Sequence, residues 1–259
     1  MWRPAIIAVL PLLLLTTQPA FALQTNASMR IEPSEVPIDL FYSGTQLHVT
    51  GVSRSSLDLI VLCTGEEGTV ELKEKKRIGG VLWINGEDIT FKDVPSLYQL
   101  ASSEKLSSLA AEPELIYAGM GFPALEARIV PQSNDDRQRR CFLELVKLKE
   151  QEGLYSVREG ELELSPLGED WEEFSATFHF PPGAGPGIYY FHLMSFADGK
   201  AVELADGEVT VRLAGVAAFI RSLSLEHGLV YGIFSVVVAL AAGLLTGAIF
   251  ARRSRGLGH

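Results

Sequence analysis

The sequence predicts a mainly β domain with a helical insertion, an immunoglobulin-like sandwich of the α+β class, carried on one C-terminal transmembrane helix. Three observations predict it. Short alternating or continuously apolar stretches, separated by Gly and Pro, occupy both flanks of the chain's middle. Between them, apolar residues recur at three- and four-residue spacing, as on a helix face. Near the C-terminus lies an uncharged apolar block, residues 228–250, 23 residues long.

The elements follow in order. Residues 46–52 (QLHVTGV) alternate as a half-buried strand, and 57–64 (LDLIVLCT) read as a strand buried on both sides. Strands at 70–76 and 81–85 come next, with turn signals at 65–68 and at Gly79-Gly80. Pro33 and Pro37 suit edge positions. The insertion, about residues 96–152, opens at Ser96-Leu97-Tyr98-Gln99 with capping-box spacing. Residues 104–111 look helical, and Pro113 breaks or restarts the helix. The clearest helix is 135–152, with Cys141, Leu145 and Leu148 on one face beside Phe142 and Val146. Asn134 or Asp135 would cap it and Gly153 would end it. Strands return at 154–157, 161–165 and 174–180. Residues 181–187 are a Pro/Gly loop, and 188–196 with 201–213 form a terminal hairpin. One split sandwich and two small β domains bridged by helices both satisfy this pattern.

The two ends determine the compartment. Arg3, an apolar run at 5–15 and Ala20-Phe21-Ala22 are the three parts of a secretory signal peptide, residues 1–22. The run is too short to cross a hydrocarbon core of roughly 30 Å. The expected domain is 23–215, followed by a juxtamembrane segment at 216–227, the transmembrane helix at 228–250 and a tail at 251–259. Arg252, Arg253 and Arg255 hold that tail on the cytoplasmic side. Without Arg3 and these three, 18 of the 22 basic residues stand against all 32 acids, so the exported part carries about −14. A domain of that charge is soluble and is repelled by anionic surfaces, and nucleic acid is excluded as a partner.

No motif for catalysis emerges. The histidines His48, His179, His192, His227 and His259 do not stand at zinc-ligand spacing, although His179 and His192 would meet if their strands were neighbours. A GxSxG elbow, a P-loop and a dinucleotide fingerprint are all missing from the sequence. No metal and no cofactor is expected. Cys63 and Cys141 are candidates for a disulfide in an oxidising compartment, with two buried thiols as the alternative. Asn26-Ala27-Ser28 is formally a glycosylation sequon.

Within the apolar block, Gly228, Gly232, Ser235, Ala239, Ala242, Gly243 and Thr246 fall on one face at 100° per residue, and the bulky residues fall elsewhere. Such a face lets another helix approach closely. It is the candidate interface for self-association or for a membrane-protein partner within the lipid bilayer.

Several segments in order carry a resemblance: residues 41–47 (FYSGTQL), Trp83-Ile84-Asn85, residues 95–98 (PSLY), Gly153-Leu154-Tyr155, and Glu226-His227 through residues 229–232 (LVYG). Together they resemble an uncharacterised family of bacterial, alphaproteobacterial single-pass transmembrane proteins. The resemblance implies an exported domain in the periplasm, one anchor in the inner membrane and a permease of the sulfite-exporter type as a neighbour. It implies no catalytic residues, and Cys63 and Cys141 are not part of it. The expected function is therefore a non-enzymatic, membrane-anchored periplasmic accessory or interaction protein. A ligand-binding or sensory ectodomain for a small solute or glycan is the first alternative, with aromatics such as Trp83, Trp171 and Tyr189 as candidate pocket walls. An enzyme of unknown type is the second.

Overall fold

The computed structural model describes residues 27–78, 82–130, 136–197, 199–226 and 228–254. The expected signal peptide, Asn26, the Gly79-Gly80 turn, the caps Asn134 and Asp135, His227, Arg255 and His259 lie outside the described residues, as do the side chains of Arg252 and Arg253.

The chain opens with β1 (Ala27–Glu32), β2 (Glu35–Ile38), β3 (Thr45–Arg54) and β4 (Ile60–Thr64). A long hairpin, β5 (Glu67–Ile78) and β6 (Leu82–Pro95), precedes β7 (Tyr98–Ser102). Four helices follow: α1 (Leu106–Leu109), α2 (Glu112–Tyr117), α3 (Gly121–Ile129) and α4 (Asp136–Gln151). The chain then returns to strands with β8 (Tyr155–Glu159), β9 (Glu163–Pro166), β10 (Trp171–Phe180), β11 (Gly187–Ala197) and β12 (Lys200–Leu213). Two helices end it, α5 (Gly215–Glu226) and α6 (Gly228–Ser254).

The strands form a four-stranded sheet, β1-β3-β10-β9, and a six-stranded sheet, β2-β12-β11-β4-β7-β8. Among the described residues, the hairpin β5-β6 pairs only with itself. The two large sheets face each other. Phe178 of the first meets Phe191 of the second edge-to-face at 5.3 Å, and Phe180 meets Tyr189 at 4.7 Å. Alternation explains the layering: Phe174, Ala176, Phe178 and Phe180 are buried, and the odd residues between them are not. β4 is apolar and buried from Ile60 to Cys63 and lies inside its sheet, between β11 and β7.

The helices form a crossover. β7 and β8 pair in parallel, and parallel neighbours need a connection of a dozen residues or more. α1 to α4 are that connection. The capping-box reading of Ser96 to Gln99 is corrected here: these residues lead into β7. The Gln99 side chain donates to the carbonyls of Gly153 (3.0 Å) and His179 (2.7 Å) instead of closing a helix start. Pro113 sits in the first turn of α2, where its missing N–H costs nothing.

α4 buries Phe142, Leu145 and Val146, whereas Leu148 is exposed and Cys141 is half-buried. The buried stripe is thus turned away from the expected Cys141–Leu145–Leu148 line. Phe142, which meets Phe91 of β6 at 6.5 Å, sets its direction. Gly153, at φ 72°, ends the helix. Its N–H donates to Glu150 at 3.0 Å and the N–H of Leu154 donates to Lys149 at 2.9 Å, the paired bonds of a Schellman motif.

Candidate functional site

β4 and β12 are both antiparallel to β11, so both run toward one pole of the sandwich. β12 delivers the chain there to α5, and the N–H of Ala214 donates to the carbonyl of Ile38 at 2.7 Å. The turn after β2 and the root of the β5-β6 hairpin therefore share this pole. Glu66 lies against Gly187 there, 3.4 Å from where a Cβ would stand. On the hairpin, Lys75 pairs in register with Asn85, Lys76 with Ile84 and Arg77 with Trp83.

α5 folds back along α6. A groove of about 320 Å³ between them is lined by Phe219, Ile220 and Leu223 of α5 and by Ser235, Ala239 and Ala242 of α6, among others. Three members of the predicted small-residue face thus stand opposite a helix of the same chain. Gly228, Gly232 and Gly243 do not: at each of them an added Cβ would meet nothing within 4 Å. The hydroxyls of Ser235 and Thr246 donate to the carbonyls of Tyr231 and Ala242, each at 2.8 Å, inside the helix itself.

A second feature lies in the helical insertion. A mostly apolar cavity of about 420 Å³ opens between α1, α2, α3 and β8, with Leu115, Met120, Phe122 and Val157 in its wall. Glu159 is the acid at its edge nearest α1, where one carboxylate oxygen accepts from the N–H of Leu106 at 3.3 Å. Beneath it Tyr98, Phe122 and Tyr155 form an aromatic cluster with centroids 6.0–6.5 Å apart. The Tyr98 hydroxyl donates to the carbonyl of Gly119 and accepts from the N–H of Gly121, both at 2.8 Å. Tyr155 donates to Pro95 at 2.7 Å. Burial pushes both hydroxyls well above the usual tyrosine range. They are structural pins for the loops before α3 and before β7. Sequence spacing could not reveal them, because each partner is a backbone atom brought close only by folding.

Other expectations separate in space. Cys63 and Cys141 are both free thiols, which corrects the expected disulfide. Cys63 lies in β4, wholly buried between Phe191 and Gln99 in register, while Cys141 lies at the margin of α4's buried stripe. Burial raises the Cys63 thiol well above its ordinary value. His179 and His192 are on different sheets, in β10 and β11, so they are not neighbours. His192 Nδ1 instead meets Glu203 at 2.6 Å across the terminal hairpin. Trp171 and Tyr189 start strands at opposite poles: Trp171 lies under the Arg54 guanidinium at 5.4 Å, and Tyr189 donates to Gly185 at 2.8 Å. They do not wall one pocket, and the Trp83 side chain is outside the described residues. Among the described residues, no group of three His, Cys, Asp or Glu side chains is placed to hold a metal.

Among the described residues, no helix is long and apolar enough to cross a membrane. Comparison with curated proteins gives no match. The sequence pattern of one family, described as "Putative transmembrane protein" (Alph_Pro_TM), matches residues 27–252. That stretch includes both sheets, the helical crossover and nearly all of α6, so the chain belongs to this family of transmembrane proteins.

Proposed function

We propose that this chain is a non-enzymatic accessory protein of the bacterial inner membrane. Its sandwich is exported to the periplasm, its α6 region crosses the bilayer once, and its tail is cytoplasmic. One observation carries the reading. Among the described residues, ten large hydrophobic side chains of α6, from Leu229 to Leu245, are exposed, and Leu229 is 87% so. At about 1.5–3 kcal/mol for burying each such side chain, water leaves on the order of 15 kcal/mol unclaimed, comparable to the whole stability of a domain. Lipid removes that cost. The internal bonds of Ser235 and Thr246 suit hydrocarbon, where each donor needs a partner. The uncharged stretch at 228–250 supplies the length, and the family's description agrees.

The proposal extends to the sandwich and the partner. Strand order β1-β3-β10-β9 against β12-β11-β4 matches the ABED and GFC sheets of an immunoglobulin-like fold. The Tyr189 hydroxyl bond to Gly185, four residues upstream near the start of β11, matches that fold's tyrosine corner. In the membrane, the open end of the small-residue face, around Gly243, receives a second helix, either from a permease or from another copy. A membrane association assay tests this. Gly243→Ile should weaken association while Leu240→Ile, on the bulky face, should not; equal behaviour would reduce α6 to a plain anchor. The cavity under α1–α3 favours a second reading, a site for a small apolar ligand, which a thermal-shift screen of such ligands on the detergent-solubilised chain would reveal.

A further inference from the structure

The helical crossover leaves a space that its own helices do not fill. α1 has four residues and α2 has six, and these short pieces do not close over β8. The mostly apolar cavity of about 420 Å³ that remains is of the size that holds small molecules, roughly 300–1,000 Å³. One wall is fixed before any ligand arrives. The Tyr98 hydroxyl holds the Gly119 carbonyl and the Gly121 N–H, both at 2.8 Å. Met120, between those two glycines, is 2% exposed and lines the cavity.

Charge at the cavity is one-sided. β8 alternates, so Val157 and Glu159 face the cavity while Arg158 between them faces away. Arg158 donates instead to the carbonyl of Thr177 at 2.7 Å. Glu112, in the first turn of α2, is the second acid of the lining. Among the described residues, no Lys, Arg or His lines the cavity. Neither Glu112 nor Glu159 stands in an ion pair among the described residues. The N–H of Leu106, donating to Glu159 at 3.3 Å, fixes that carboxylate at the edge.

We propose that this cavity binds amphiphilic amines: a small apolar body seats against Leu115, Met120, Phe122 and Val157, and the cationic amine at its end is drawn to the Glu159 and Glu112 carboxylates. The inference rests on the reading of the cavity as a site for a small apolar ligand, and it adds the charge that the ligand carries. An apolar cavity takes an apolar body in preference to water. An aromatic body gains further from the Phe122 ring. Two acids without a base favour a cation and repel a carboxylate of the same shape, so the selection works by attraction and by exclusion.

Three ligands with one phenylbutyl body test the site: phenylbutylamine, phenylbutanol and phenylbutyrate. They are titrated calorimetrically into the full chain in a non-ionic detergent, with the detergent-only titration subtracted. The amine should bind about fivefold more tightly than the alcohol, the scale of an ion pair at a half-exposed edge, and the acid should bind most weakly. Glu159→Gln keeps an oxygen for the Leu106 N–H, so the fold is retained, and a melting temperature equal to the parent's checks this. Combined with Glu112→Gln, it should bring the amine level with the alcohol and leave the alcohol's affinity unchanged. Equal binding of all three ligands to the parent chain overturns the charge selection and leaves the apolar-ligand reading standing. An amine preference that survives in the double variant overturns the assignment to these two acids. Binding of none of the three overturns the apolar-ligand reading and the proposal together.

Discussion

Tyr189 shows how one side chain can set a pH limit. Its ordinary value is 10.0, and burial, outweighing the opposing hydrogen bond with Ser96, pushes it up to about 12. The folded state holds this proton more tightly than the unfolded state does. Its contribution is therefore complete below pH 10.0 and is lost as pH rises toward about 12. Tyr98 and Tyr155 shift in the same direction. Ultraviolet titration of tyrosinate should find these hydroxyls ionising late, together with unfolding. Tyr189→Phe should cost about 1 kcal/mol at neutral pH through the lost bond to Gly185, while making the alkaline decline shallower; an unchanged alkaline profile would remove Tyr189 from this role. Thiol chemistry gives a second check at this scale. Cys141 should be alkylated first in the native protein, and Cys63 only on unfolding. Unfolding without reductant should release two thiols, and a chain that yields none would restore the disulfide.

Elements here are fixed by their ends and by close approaches. Gly153 at φ 72° closes α4 with the Schellman pair, and the crossover to β8 starts from that point. Gly153→Ala should lower stability by about 1–2 kcal/mol, the cost of a Cβ in the left-handed region; a denaturant midpoint equal to the parent's would contradict this. Gly51 is a stricter case. A Cβ there would stand 2.0 Å from the Ser28 carbonyl and 2.6 Å from the Phe174 ring, so β1 or the core must move. Gly51→Ala should cost more than about 3 kcal/mol and release β1 to proteolysis near residues 27–32. The sequence marked Gly51 only as part of an alternating strand, because the contact that requires glycine comes from strands elsewhere in the chain.

For the whole molecule, the proposed topology has a simple consequence. A reporter active only in the cytoplasm, fused after residue 259, should be active, and the same reporter fused in the 181–187 loop should be silent. The reverse pattern would overturn the exported sandwich. Most of the strands and the terminal hairpin were legible in the sequence, because alternation and Gly/Pro turns are local signals. The sheet order was not. The parallel pairs β2-β12 and β7-β8 join segments far apart in the chain, and a period-two pattern does not name its partner.

Composition and run length alone determined the apolar block at 228–250, the acidic domain before it and the β-rich character of that domain. These are properties of consecutive residues, and the hydrophobic effect and backbone sterics act on them directly. Tertiary structure decided where side chains meet. It parted Cys63 from Cys141 and put His179 and His192 on different sheets. It laid α5 against part of the small-residue face of α6, and it brought the Leu40–Phe41 turn beside the root of α5. Each of these outcomes depends on which strands pair and which helix faces turn inward. That choice is made by packing summed over the whole core, and no short stretch of sequence contains it.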